Sequence, residues 1–471
     1  MKNILIVANQ PQRFLDQLRF ADILSAQYKN CTISFYINKE VNKLHSIKIK
    51  DIKFKIINNL NIDIDNNKIF NINELKNCIK SKLPILCLDY TKQIMIIIRS
   101  SILYTKQLKK QEKIIYNNFK IQHNNIIKLV EKYNINIIFL NGDRHIGCEP
   151  IFLKISNELN IPTIIPYLAD FADKERLLRS NIMVNKIKTK LFTSKYILNS
   201  QNNLNYRVEN NKYYYSHPMA NALQIFEVLT SNPYVMGSGK SDILCLNNKY
   251  YKNLYIKNGV SKDKISLTGD FAYDNLYYLN KNKNKKILKE ELLKKYNLNS
   301  GKRNIIIALP QLAEHGFLEW DEHWKEIEFL ITTLSSLQQN LLVSLHPKTD
   351  IKQYEFLELK YNCKILDERL SDVLPVADVF IATFSSTVVW AVLCGIKTIV
   401  VDFYNFNYRM YDFLTSIKIV RDKTKFNDVL IDALNKEMDF RLDWELLSRD
   451  DVFDGKTIQR YIDLIDKVSN E

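Results

Sequence analysis

Three stretches of this chain combine hydroxyl, imidazole and ammonium groups in ways that suit an anion. His346-Pro347-Lys348 follows the apolar run Leu341–Leu345. A histidine fixed by a following proline at a strand end can hydrogen-bond or neutralise a phosphate, and Lys348 adds a point charge. Thr383-Phe384-Ser385-Ser386-Thr387 follows the run Val379–Ala382 and precedes the apolar stretch Val388–Cys394. Hydroxyls and backbone N–H groups at a helix start make a phosphate cradle of Ser385, Ser386 and Thr387, whereas ordinary capping would use one hydroxyl. Pro310-Gln311-Leu312-Ala313-Glu314-His315-Gly316 follows a third run, Asn304–Leu309. There Glu314 or His315 is a candidate general base or nucleotide ligand, with a solvated turn as the plain alternative.

The first half of the chain offers a different set. Asn141-Gly142-Asp143-Arg144-His145 closes the run Ile135–Leu140. Asp, Arg and His together at a buried strand end are costly to pack and useful for acid–base chemistry, so Asp143 and His145 are expected to reach a cleft. Asp170 and Asp173 follow the next run, Thr163–Pro166. Gly237-Ser238-Gly239 places two of the chain's 10 glycines one residue apart, which suggests a backbone that bends tightly or approaches a ligand.

Such residues need a scaffold that presents strand ends. Short β-branched runs alternate with longer helical stretches, the signature of βαβ units around parallel sheets. Expected strands are Asn3–Ala8, Ile135–Leu140, Thr163–Pro166, Asp242–Leu246, Ile265–Leu267, Asn304–Leu309, Leu341–Leu345, Cys363–Leu366, Val379–Ala382 and Thr398–Val401. Expected helices include Phe14–Gln27, Glu149–Leu159 and Val388–Cys394. In open sheets of this kind ligands bind beyond the carboxyl ends of the strands, where the candidate residues fall. The Lys- and Asn-rich stretch from Tyr278 to Arg303 reads as a solvated helix and linker between domains, with a charged surface helix inside one domain as the alternative. The expected organisation is therefore a first Rossmann-like domain over 1–285, a linker at 286–300 and a second domain over 301–456. A helix over 457–471 is expected to return to the first domain.

Length and composition fit this plan. A chain of 471 residues exceeds one ordinary core, and a hydrophobic share of 46% excludes a disordered chain. The formal charge of +15 favours anionic partners, although over-use of Lys, Asn, Ile and Tyr also reflects compositional bias. The seven cysteines are scattered, with no CxxC pair, so neither a zinc ribbon nor a disulfide framework is expected. The start lacks a signal-peptide pattern, and the best apolar run, Ile94 to Ile98, is flanked by Lys92 and Arg99. Absent motifs demote dehydrogenases, P-loop ATPases, zincins and lipase-type hydrolases, and no basic helix with interleaved aromatics marks a nucleic-acid reader.

The order of motifs carries a family resemblance. Leu140-Asn141-Gly142-Asp143-Arg144 followed by Asn160-Ile161-Pro162 resembles a first-domain pattern of the UDP-N-acetylglucosamine 2-epimerases. Ser266-Leu267-Thr268-Gly269-Asp270 with Asp274-Asn275-Leu276 is similar to the stretch closing their first domain. Asp454-Gly455-Lys456-Thr457-Ile458-Gln459-Arg460 is similar to a tail of those epimerases and of GT-B transferases. The chain departs from the epimerases at Pro310–His315, where they carry His-Arg-Arg-Glu-Asn, and after Ser385-Ser386-Thr387, where Val388–Ala391 lacks their acid. A His-Pro loop followed by a Ser-Ser loop instead resembles bacterial GT-B glycosyltransferases of capsule and lipopolysaccharide assembly, including those using CMP-activated sialic acids or Kdo.

The resemblance implies an α/β fold of two Rossmann-like domains facing across a cleft, and a glycosyltransferase using a CMP- or UDP-linked sugar. Ser385, Ser386 and Thr387 would cradle the donor phosphate, with His346, Pro347 and Lys348 beside them. Gln311, Glu314 or His315 would hold base or ribose, and Asp143 or His145 would deprotonate the acceptor. Asp170 and the loop Gly237-Ser238-Gly239 would line the cleft. The acceptor is expected to be a glycan, lipid-linked or protein hydroxyl. No cofactor, bound metal or nucleic-acid partner is expected. The expected location is the cytoplasm, with peripheral contact to an anionic membrane left open. A UDP-N-acetylglucosamine 2-epimerase and a non-catalytic nucleotide-sugar-binding protein are the alternatives.

Overall fold

The computed structural model describes residues 1–45, 49, 52–57, 90–144, 147–167, 214–346, 349–383, 385–404 and 410–469. In the opening strand, β1 (Lys2–Ala8), the four consecutive side chains Ile4 to Val7 are all shielded from solvent. That is the mark of a strand buried on both faces of a parallel sheet. Its sheet adds β2 (Cys31–Ile37), β3 (Lys55–Ile56), β4 (Ile137–Phe139), β5 (Thr163–Ile165), β6 (Ile243–Leu246) and β7 (Ile265–Leu267). The strand order is β3-β2-β1-β4-β5-β6-β7. β1 runs parallel to both β2 and β4, with Ile4 opposite Ile33 on one side and Ile137 on the other.

A second sheet holds β8 (Asn304–Ala308), β9 (Asn340–Ser344), β10 (Lys364–Ile365), β11 (Val379–Ala382), β12 (Lys397–Val401) and β13 (Ile417–Val420). Its order is β10-β9-β8-β11-β12-β13, and its pairings are parallel. Alternation along β8 splits its apolar residues between two cores. Ile305 and Ile307 pack with Ile327, Leu330 and Leu334 of helix Trp320–Ser336, while Ile306 packs with Val388 and Val392 of helix Thr387–Leu393. A strand with both faces covered needs an unbroken apolar run, which is why these strands were readable. Both sheets have the doubly wound form expected of Rossmann-like domains.

Packing divides the chain into two units. One comprises Met1–Cys245, Tyr255–Ser266 and Leu464–Glu471; the other comprises Leu246–Leu254 and Leu267–Asp463. The division differs from the expected one. The helix expected in the linker stretch is present as Asn282–Lys295, but it belongs to the second unit, where Leu292 and Tyr296 lie in the core beside Ile306 and Phe380. Leu288, Leu292 and Tyr296 recur every four residues, so a single apolar edge docks the helix despite its lysines. The helix Thr457–Val468 is shared between units: residues to Asp463 group with the second and those from Leu464 with the first. In the first unit, the Tyr28 hydroxyl donates to the Asp466 carboxylate. Among the described residues no helix is long and apolar enough to cross a membrane. The run Ile94 to Ile98 belongs to the 43-residue helix Tyr90–Lys132.

Candidate functional site

In both sheets the winding reverses beside the first strand, between β1 and β4 and between β8 and β11. Loops leaving the carboxyl ends of two such strands diverge and leave a crevice, the place where α/β sheets bind ligands. In the second unit those loops begin at Leu309 and Thr383. Register fixes them side by side, since Ile305 pairs with Val379 and Ile307 with Ile381.

The loop after β8 holds Gln311, which is buried and donates from Nε2 to Thr349 Oγ1 at 3.2 Å. Gln311 and the segment after β9 are thereby joined. His346 is exposed at the end of β9, and its carbonyl accepts from the Thr349 N–H at 2.8 Å. Pro347 and Lys348 lie outside the described residues, as does Phe384. After β11, Ser385 Oγ lies 2.8 Å from Thr387 Oγ1 and accepts from the Thr387 N–H at 3.4 Å. Tyr411 donates to the Ser385 carbonyl and pins the loop from outside. Capping thus occupies Ser385 and Thr387, whereas the half-buried Ser386 hydroxyl has no hydrogen-bond partner among the described residues.

Glu314 and His315 sit on an exposed turn. Gly316 N–H donates to Ala313 O at 2.8 Å and Phe317 N–H to Leu312 O at 2.8 Å, with Gly316 at φ +68°. The Glu314 carboxylate accepts from Tyr354 Oη at 2.9 Å, and that oxygen lies 2.8 Å from Nε2 of the buried His323. Burial holds the His323 pKa below its ordinary value, against an upward pull from Glu314. Glu314 is therefore anchored at the end of a tyrosine–histidine pair.

In the first unit the switch point gathers a buried amide network. Gln17 Nε2 donates to Val7 O at 3.1 Å and to Asn141 Oδ1 at 3.0 Å, and Asn141 Nδ2 donates to Asn9 Oδ1 at 2.5 Å. Asp143 lies just beyond, but its side chain does not reach a cleft. It is only 2% exposed. Its Oδ1 accepts from the Gly237 N–H at 2.9 Å, and its Oδ2 from the Gly239 N–H at 2.8 Å and Ser241 Oγ at 2.9 Å. Lys264 Nζ adds an ion pair at 3.4 Å. A buried carboxylate needs several donors to offset its lost hydration, and here a distant loop supplies them.

The same contacts revise the glycine loop. A Cβ on Gly239 would lie 2.4 Å from the Asp143 carbonyl oxygen, and one on Gly237 would lie 2.7 Å from Leu244 Cδ2. The close backbone approach is to Asp143, within the unit, rather than to a ligand. Ser238 Oγ is engaged with Thr230 Oγ1 at 2.8 Å and Val235 O at 2.7 Å. Arg144 turns away from Asp143 and donates to the carbonyls of Pro233 and Tyr234 at 3.3 and 2.7 Å. His145, Asp170 and Asp173 lie outside the described residues.

A different acid occupies this switch point. Glu149 opens helix Glu149–Leu159, with Pro150 at the second position. It is 0% exposed, and neither carboxylate oxygen makes a well-formed hydrogen bond among the described residues, the Asn9 side chain and its own backbone N–H being the donors close by. Burial pushes its pKa from the ordinary 4.5 up to about 7, against downward pulls from the Asn9 side chain and its own backbone. A Cβ on Gly147 would meet Glu149 Oε2 at 3.0 Å and Asn9 Nδ2 at 3.1 Å, so the glycine leaves room where these groups converge. The sequence places Glu149 at a helix start, where an acid is commonplace. Only the Gly147-Cys148-Glu149-Pro150 order beyond a strand end hinted at more.

The motifs behind the resemblance near 266–276 and 454–460 have an internal purpose. Both Asp274 oxygens accept from the start of helix Thr457–Val468, from the Thr457 N–H at 2.7 Å and the Ile458 N–H at 3.1 Å. Gly269, at φ +94°, leaves space for the Thr457 hydroxyl, which would lie 2.9 Å from a Cβ there.

No protein-family model matches the chain, and no curated protein matches it in sequence. Solved structures similar to it include the UDP-GlcNAc 2-epimerase from Neisseria meningitidis bound to UDP-GlcNAc, at 10% identity and a TM-score of 0.49, covering 99% of this chain and 100% of that one. The UDP-GlcNAc 2-epimerase from Methanocaldococcus jannaschii is similar at 11% identity and a TM-score of 0.49, with 99% and 100% covered. The wall teichoic acid polymerase TagF is similar at 14% identity and a TM-score of 0.48, with 100% and 89% covered. Similarity of this degree transfers neither reaction nor substrate.

Proposed function

We propose that the chain is a nucleotide-sugar enzyme, a glycosyltransferase that moves a sugar from a nucleotide donor to a hydroxyl on a glycan, lipid-linked or protein acceptor. One observation carries this: the β8/β11 switch point presents Gln311, His346 and the free Ser386 hydroxyl on adjoining strand ends. Ser386 and the N–H groups of the loop after β11 would hold the donor phosphate. His346 and Lys348 would offset its charge, and Gln311 would hold base or ribose. Glu314, tied to Tyr354, is left with at most a binding part through its second oxygen.

Acid–base work would fall to Glu149 rather than Asp143, whose oxygens are already taken, and it would require substrate binding to uncover the Glu149 carboxyl, which is 0% exposed. A carboxyl poised near neutrality can both accept and return a proton at physiological pH. That property also suits a 2-epimerase, which moves a proton at a sugar carbon, so epimerisation is the rival reaction. The nucleotide-sugar is substrate, and no bound metal is assigned a part. The site of action would be the cytoplasm.

A thermal-shift screen with CMP, UDP, GDP, CDP and dTDP tests the binding claim, because a ligand held only by the native state raises its stability. One nucleotide should raise the melting temperature of wild type and not of Ser386→Ala; no response to any of them defeats the proposal. Incubation with UDP-N-acetylglucosamine alone then separates the reactions. An epimerase turns over without acceptor, a transferase scarcely does, and a binder never does.

A further inference from the structure

We propose that the outward face of helix Tyr90–Lys132 docks the protein on an anionic lipid surface. This does not rest on the enzymatic proposal. Between residues 105 and 132 the helix has two distinct faces. Leu108, Phe119, Gln122, Ile126 and Val130 are buried on one side. Lys106, Lys109, Lys110, Lys113, Lys120 and Lys128 are exposed on the other, at three-, four-, seven- and eight-residue spacings that return to one side of a helix.

Two features of the exposed face point to lipid. The first is unopposed charge. None of these six lysines is ion-paired among the described residues, and no acidic residue lies among them on that face. Glu112 points elsewhere and accepts from Asn221 Nδ2 at 3.0 Å, and Glu131 lies beyond the last of the six. Lys106, Lys109, Lys110 and Lys113 repel one another across i,i+3 and i,i+4 spacings, a local cost that an anionic surface would remove. The second is aliphatic side chains set among the charges. Ile102, Ile114 and Ile121 are 41%, 49% and 59% exposed on the same side. A bilayer's headgroup boundary takes both, with aliphatic groups at the acyl edge and lysine stems reaching back to phosphate. A nucleic-acid backbone would use the lysines and leave the isoleucines in water. From Ile102 to Lys128 the face spans about 39 Å, long enough for a helix lying flat on a surface.

The test uses the full chain and vesicles of phosphatidylcholine with or without phosphatidylglycerol, separated by sedimentation. Wild type should partition onto the anionic vesicles, release with added salt and ignore the neutral ones. Lys109→Gln with Lys113→Gln should lower partitioning by about 25-fold, at roughly fivefold per lysine. Ile114→Gln with Ile121→Gln should lower it further even at low salt. All four side chains are exposed, so circular dichroism and melting temperature should stay at wild-type values. Equal binding to both vesicle types overturns the proposal, as does an unchanged lysine variant. So does RNA binding that falls with the lysine variant while the isoleucine variant binds vesicles as wild type.

Discussion

Replacing Glu149 by Gln should stabilise the protein at pH 8 relative to its effect at pH 4.5. In the unfolded chain this carboxyl titrates near 4.5, and in the folded state near 7. Between those values the unfolded state releases its proton while the folded state keeps it, so stability falls as pH rises through that window and levels off above about 7. A gap of about 2.5 units at roughly 1.36 kcal/mol each amounts to about 3 kcal/mol at pH 8, and to almost nothing near pH 4.5. A glutamine side chain there cannot ionise and escapes this loss. Its buried amide adds a pH-independent cost of about 1–3 kcal/mol if its N–H groups find no acceptor. The diagnostic quantity is therefore the change of the difference with pH. For a unit of this size, about 3 kcal/mol corresponds to a relative shift of roughly 6–12 °C in melting temperature. Calorimetric melting of both proteins from pH 4.5 to 8 measures it. A difference that stays flat across the range would show that Glu149 ionises freely in the folded state, which would refute its assignment as a proton-transfer group.

Other substitutions separate binding from architecture. Ser386→Ala and His346→Ala should each weaken nucleotide binding by about 1–3 kcal/mol by calorimetry, the worth of a hydrogen bond to a charged group. Asp143→Asn should lower stability by about 3 kcal/mol, because Lys264 and the Gly237–Ser241 donors lose a buried charge, while turnover per folded molecule stays near wild type. A fall of roughly 100-fold or more, within the usual worth of general-base catalysis, would return Asp143 to the chemistry. Gly239→Ala should destabilise far more than Gly316→Ala. The first Cβ would meet a carbonyl oxygen, whereas the second would enter open space and cost about 1–2 kcal/mol for its left-handed backbone. Melting curves of the two decide this.

The parallel sheets were legible because strands covered on both faces must be continuously apolar. Val379–Ala382 and Ile265–Leu267 match their expected bounds. Strand β2 escaped notice because Cys31-Thr32-Ile33-Ser34 interrupts its apolar character with small polar groups. The helix Tyr90–Lys132 was hidden by Lys and Asn, whose spacing reveals a face only once burial is known. The loops after β8, β9 and β11 were placed correctly at strand ends, since strand ends follow from strands. The enclosure of Asp143 was illegible for a different reason. Its partners lie 94 to 121 residues away, and no local pattern announces that two glycine N–H groups will converge on one carboxylate. Glu149 is the converse case: an acid at a helix start looks ordinary until its burial is seen.

The interleaving of the two units bears on how the protein is made. The first unit includes Leu464–Glu471, and Tyr28 bonds to Asp466 there. Roughly 200 residues separate Ser266 from that segment in the chain. At a synthesis rate of about 5–20 residues per second, the first unit waits roughly 10–40 s on the ribosome for its final strip. During that interval the face of Tyr28 that the strip will cover stands open, and the second unit can fold ahead of the first unit's completion. Order of synthesis and order of completion are thus partly reversed, and a nascent chain stalled short of residue 464 leaves its defect in the unit that was made first.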